Sequence, residues 1–478
     1  MGLLSLSAVV LAVSPPSLGK AGSRQTLRYG VASPRAPVAS EKRAASAAPL
    51  AAAADPERAV FRAPEDGVAK PPTPGHRIPG ILLIKNIGAL YAPERVHARH
   101  VLVVGDRIAA LFAGDEDAWA WEQTAASVID ADNAAVAPGI VDVHVHITGG
   151  GGEAGPASRT PQAELSRLIR SGHTTLVGIT GTDDVSRSLE NLHAKCRELN
   201  ELGLTCRMWT GSYAVPVQER FTMTGSVRRD VALIDEVIGV GEIALSDHRG
   251  TQPSTREIAA VAADSRIGGL LSGKGGIVHV HMGPGDEGLD PLFKVLETTD
   301  LPISQFLPTH MSRTSVLLEH GQKWIKMGGC IDMTAGNATV KALQAYASAG
   351  VDLSRVSIST DAYGSLPRFD PSGKLIGYAA ARPETMLETM ARLVEAGWDV
   401  EDALALGTSR PAAFVGLKGK GRVAVGYDAD LMVFDADTWR VRAVVARGEQ
   451  VAGEDWVRGG MFETGDGVRP YVPGGPAR

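Results

Sequence analysis

The chain has 478 residues, a formal net charge of -6, and 44% hydrophobic against 21% charged residues. That length buries a large core in one major domain, and Lys and Arg scattered without runs leave no field for holding nucleic acid. Cys196, Cys206 and Cys330 are too few and too irregularly spaced for a disulfide framework and read as buried thiols of a reducing compartment, while no apolar run reaches the roughly 18 residues of a membrane span.

Residues 1–54 are rich in Ala, Ser and Pro and carry six basic residues against the single acid Glu41. This is transit-peptide composition, so residues 1–75 are expected to be an extension outside the fold that directs the protein to an organelle, the plastid first. The alternative is a plain disordered tail on a cytoplasmic protein. Pro71-Pro72-Thr73-Pro74-Gly75 is the linker.

From Ile81 the pattern becomes short strands separated by Gly-Asp and Asp-Asn turns: Ile81 to Ile87, Val101 to Val104, Arg107 to Leu111 and Val128 to Asp130. More of the same kind are expected over Arg422 to Phe434 and Val441 to Val451. Residues 76–137 and 418–465 together therefore predict a small β-sandwich built from both ends of the chain, with 466–478 as a tail.

Between them, over 138–417, apolar strands alternate with amphipathic helices such as Leu189 to Leu202, Arg256 to Leu271 and Glu384 to Ala396. Eight βα units predict an α/β fold, a TIM (β/α)8 barrel. Its strands are read from Val141 to His146, Thr174 to Gly181, Cys206 to Gly211, Val240 to Leu245, Ile277 to His281, Phe306 to His310, Cys330 to Thr334 and Val356 to Asp361.

Such barrels carry their chemistry at the C-terminal strand ends. His144 and His146, spaced i, i+2, share one face of the first strand and form a ready pair of metal ligands. Later strands add Glu242, His281, His310 and Asp361. His279 lies one pleat deeper than His281 and reads as a supporting or core residue; His173, His193, His248 and His320 read as surface or structural.

These residues resemble the binuclear metal site of the amidohydrolase superfamily. More narrowly, HVHxxGGGGEAGP from His144, GTD at Gly181, TGSY at Thr210, SDHR at Ser246, HMG at His281, PTHxxR at Pro308 and SxDxxGS at Ser359 resemble the isoaspartyl (β-aspartyl) dipeptidases. One departure stands out. That family has a carboxylated lysine bridging two metals where this chain has Glu242, whose carboxylate supplies the same charge on a shorter arm.

The resemblance implies two zinc-like ions held by His144, His146, Glu242, His281, His310 and Asp361, with hydroxide at the bridge attacking a peptide carbonyl. It assigns Asp361 as general base then acid, and Tyr213 as the donor to the oxyanion. Gly151, Thr182 and Ser365 fall at substrate-lining positions. By charge, Glu153 suits the ammonium of a β-aspartyl dipeptide, and Arg249 and Arg313 its two carboxylates, although Glu153 could instead cap a helix near Arg159 to Leu168. A small dipeptide substrate and a homo-oligomer, an octamer, are thus expected, with no nucleic acid and no membrane. Alternatives are another amidohydrolase reaction, on a cyclic amide or by deamination, and a silent scaffold.

Overall fold

The computed structural model describes residues 78–369 and 375–472; the expected targeting extension lies outside them. Eight parallel strands form the barrel: Ile140–Val145, His173–Gly178, Thr205–Thr210, Val237–Leu245, Ile277–Met282, Phe306–Thr309, Ile331–Thr334 and Val356–Ser359. The first six make one continuous sheet, the last two pair with each other, and a bridge from Val145 to Ala362 joins the ends. All but two residues in these strands are buried, as expected where both faces are covered.

Helices outside the barrel form where their termini are capped and one stripe is apolar. Leu189–Glu201 starts at Ser188, whose hydroxyl accepts from Asn191 N, and buries Leu189, Leu192, Cys196 and Leu199 at three- and four-residue spacing. Truncating Leu192 there would cost roughly 2–5 kcal/mol. Thr255–Ser272 begins with a full capping box between Ser254 and Glu257 and ends at Gly273 in the left-handed region.

The small domain is a sandwich drawn from both ends of the described chain. One sheet orders Arg107–Phe112, His100–Val104, Ile78–Lys85 and Ala125–Asp130; the other contains Ala135–Pro138, Leu431–Phe434 and Val441–Ala446. Leu82, Ile84, Val101, Val103, Val136, Leu431, Val433 and Val445 fill the space between.

Several elements differ from the sequence expectation. Of Arg422 to Phe434 only Leu431–Phe434 is strand, because a turn at Gly426 and the side chains of Lys420, Asp428 and Asp430 hold the rest as an ordered loop. Val441 to Val451 splits into a hairpin at Arg447 and Gly448, both with positive φ. Val468–Pro470, placed in the tail, adds a parallel strand beside Trp456–Gly459. The helix Asp115–Glu122 and the hairpin of Ser365–Phe369 with Leu375–Ala380 were not anticipated. No described helix is long and apolar enough to cross a membrane.

Candidate metal centre

The two-residue period of the first barrel strand brings Asp142, His144 and His146 to one face. The fourth strand delivers Glu242 and the fifth His281, whereas His310 and Asp361 stand just past their strands with φ of 64° and 54°. That left-handed turn, costly for non-glycine residues, swings both side chains across the barrel mouth. All six are buried.

One carboxylate oxygen is central. Glu242 Oε2 lies 3.0 Å from His281 Nδ1, 3.4 Å from His310 Nε2 and 3.5 Å from His144 Nε2. Asp361 Oδ1 lies 3.0 Å from His146 Nε2 and 3.5 Å from His144 Nε2. Three overlapping sets gather donor atoms within 4.8 Å: His144, His146 and Glu242; Glu242, His281 and His310; His144, His310 and Asp361.

His144 Nε2 supplies the test of fit. It is buried and has no hydrogen-bond partner among the described residues, yet two carboxylate oxygens stand equally far from it. An unpaired imidazole nitrogen between two anions is expensive in a dry interior unless a cation completes the group. The donor set, imidazole and carboxylate, suits a divalent ion of the zinc class.

Electrostatics agree. Burial works against the Glu242 carboxylate, but the imidazoles of His144, His281 and His310 packed around it hold its pKa well below the usual range. Asp361 is likewise depressed against burial by His146 and His144. Burial pushes His144 and His310 down, which favours the neutral imidazole with one nitrogen of each ring free of a proton. His146 is raised, since Asp361 beside it outweighs burial. Burial and the neighbouring Glu242 push the Tyr213 phenol far up, so it stays a donor; its hydroxyl lies 2.8 Å from His281 Nδ1.

The ligand candidates are held from behind. His144 Nδ1 is 2.9 Å from His279 Nε2, and the His279 ring stacks on Trp209 with 5.1 Å between centroids. His310 Nδ1 lies 2.6 Å from the Thr334 hydroxyl. Asp142 accepts from His173 Nε2 and Thr360 N, so His173 is a buried strut, not a surface residue. Two glycines leave room for these side chains: a Cβ at Gly181 would sit 2.6 Å from the His146 ring, and one at Gly364 2.4 Å from Asp361 Oδ1.

Above the centre, Glu153 lies 3.4 Å from Arg249 Nη1 and 3.0 Å from the Ser365 hydroxyl, so it faces the mouth. The helix Leu165–Arg170 is capped instead by Glu463, which accepts from Leu165 N and Ser166 N. Arg313 Nη1 lies 2.9 Å from His281 Nε2 and donates to Met282 O. Gly151, with φ of 74°, bridges to Arg159 in the glycine loop, which Arg187 pins by donating to Gly150 O. Thr182 follows Gly181 in the loop after the second strand and is half-buried.

The sequence reading passed over Asp247. Its buried carboxylate grips Arg249 through Nε at 2.9 Å and Nη2 at 2.7 Å and lies 3.1 Å from His281 Nε2. Those contacts hold its pKa far below normal despite burial. Its signal was present: it stands inside the SDHR motif, two residues before Arg249.

The Amidohydrolase family model matches residues 135–462. Among solved structures, the chain is similar to a β-aspartyl dipeptidase from Fervidobacterium islandicum AW-1 in complex with β-Asp-Leu, at 40% identity over 80% of this chain and 100% of that one, with a TM-score of 0.74. Among curated proteins it is 25% identical over 351 residues to an adenine deaminase of Methanothrix thermoacetophila, covering 69% of this chain. The chain spans about half the length of that relative, 52%. A solved enamidase, at 20% identity over 77% of this chain and 95% of that one and a TM-score of 0.55, shares the fold.

Proposed function

The chain belongs to the amidohydrolase family, and on that premise we propose that it hydrolyses β-aspartyl dipeptides with the help of about two zinc-like ions. One observation carries this: the buried imidazole and carboxylate cluster shares its mouth with Glu153, Arg249 and Arg313, charge for charge the complement of one ammonium and two carboxylates. The similarity to a dipeptidase whose structure holds β-Asp-Leu supports the same substrate class. A deaminase or cyclic-amide hydrolase would use the histidines but has no need of that charged set.

His144, His146 and Asp361 would hold one ion and His281 and His310 the other, with Glu242 common to both in place of a carboxylated lysine. Divalent ions bound there lower the pKa of water toward neutrality and polarise an amide carbonyl.

The chain's own residues do the rest. Glu153 takes the substrate ammonium, and the two guanidiniums and the Ser365 hydroxyl take its carboxylates, which fixes the β-carbonyl over the centre. Tyr213, kept protonated by burial, donates to the carbonyl oxygen as charge develops on it. Asp361, kept ionised, accepts the proton of the attacking water and returns it to the amine nitrogen as the C–N bond breaks. Aspartate and a free amino acid leave.

The metal-loaded protein is expected to release aspartate from β-Asp-Leu and not from α-Asp-Leu, measured by amino-acid analysis beside metal counting. Equal cleavage of both, or none with metal bound, rejects this function. The composition of residues 1–54 further supports delivery to an organelle, the plastid first, and the family resemblance supports a homo-oligomeric octamer. Imaging a fluorescent fusion of residues 1–75 tests the former and light scattering the latter.

A further inference from the structure

We propose that Asp247 is a positioning residue that decides which nitrogen of His281 faces the metal centre and, with the same carboxylate, fixes Arg249 over the substrate mouth. This rests on the cluster holding a divalent cation, and it adds a residue to that site.

The His281 ring is contested at both nitrogens. Nδ1 faces inward, 3.0 Å from Glu242 Oε2 and 2.8 Å from the Tyr213 hydroxyl. Nε2 faces outward, 2.9 Å from Arg313 Nη1, 3.1 Å from Arg249 Nη2 and 3.1 Å from Asp247 Oδ2. A neutral imidazole carries one proton, and Nδ1 can offer its lone pair inward only if that proton sits on Nε2.

Guanidinium groups only donate. Left alone with His281, Arg249 and Arg313 would make Nε2 an acceptor and send the proton to Nδ1, where it would point at Glu242 and block coordination. Asp247 Oδ2 is the acceptor at that nitrogen and reverses the preference. Carboxylates behind ligating histidines orient them in this way.

The carboxylate is shared. Oδ1 accepts from Arg249 Nε at 2.9 Å and from the Arg249 backbone N at 2.8 Å, while Oδ2 accepts from Nη2 at 2.7 Å. The Asp247 side chain is fully buried, so water offers no replacement. This two-pronged grip leaves Nη1 as the arginine nitrogen aimed at Glu153 and the mouth. One side chain therefore sets both the inner tautomer and the outer clamp.

The near-isosteric Asp247→Asn keeps volume and removes the obligate acceptor. Its zinc affinity, by equilibrium dialysis with competing chelator, should fall about 10–100-fold. In the metal-free protein, nitrogen-15 NMR should show the His281 proton moving from Nε2 to Nδ1. Adding Arg249→Met and Arg313→Met to Asp247→Asn removes the competing donors and should recover much of the lost affinity, which a merely structural role would not do. Unchanged affinity and tautomer in Asp247→Asn, or further loss on removing the arginines, overturns the proposal, as does a wild-type chain that binds no divalent metal. These measurements use no dipeptide: a wild-type protein that binds zinc but spares β-Asp-Leu refutes the proposed function alone.

Discussion

Two buried clusters of charge lie in the described chain, one at the barrel mouth and one at its foot, and they are finished to different degrees. At the foot, Lys420 Nζ meets Thr205 Oγ1 and Asp430 Oδ2 at 2.6 Å and Asp428 Oδ2 at 2.7 Å. An ammonium has three donors, and each is used. The second oxygen of Asp430 accepts from Arg447 N at 2.8 Å, and that of Asp428 from Arg107. The group clamps the start of the third barrel strand to the sandwich. At the mouth, by contrast, His144 Nε2 stands between two carboxylates with no hydrogen-bond partner among the described residues. A closed set of buried charges is a fastener; an open set rich in anions and bare imidazoles is a receptacle for a cation.

The largest expected effect opens the mouth further. Glu242→Gln removes the anion shared by two of the three donor sets, so at least one ion should be lost and β-Asp-Leu turnover should fall about 10³-fold or more. Unchanged metal content would show that Glu242 is not the bridge. Glu242→Lys sharpens the point: activity should return only when bicarbonate can carboxylate the new amine.

The complementary break is at the foot. Lys420→Met leaves Asp430 buried without its cation and Asp428 with Arg107 alone, and should destabilise the fold by about 3–5 kcal/mol in denaturant unfolding, while metal content of the folded fraction stays at the wild-type level. Equal damage to metal binding would show that the two clusters are coupled through the third strand.

The contrast also explains what could be read in the sequence. Barrel strands were legible because each is a short apolar run, and candidate ligands were legible because each ends such a run: His146, His281, His310 and Asp361 all sit within two residues of a strand end. The foot was misread as strand from Arg422, because Val423 and Val425 carry an alternating pattern that the Lys420 clamp overrides. Asp247 escaped because its role comes from two elements meeting, the loop it shares with Arg249 and the next strand with His281, and single-chain periodicity carries no such signal. The strand Val468–Pro470 is too short to show alternation at all.

A gentler change tests how far the open cluster extends inward. If His144 turns Nε2 toward a cation, its proton sits on Nδ1 and must be donated to His279 Nε2, 2.9 Å away. Burial and His144 push His279 down to about 3, so it is neutral and able to accept. His279→Phe keeps the aromatic stack on Trp209 but removes the acceptor, leaving a buried N–H unpaired at a cost of about 1–3 kcal/mol. Zinc affinity should drop about 10–100-fold by chelator competition, with the thermal midpoint of the metal-free protein changing little. His279→Gln, whose amide oxygen can accept, should recover part of the affinity. Identical affinities for the wild type and His279→Phe would mean that His279 only fills the core, and that the receptacle ends at His144.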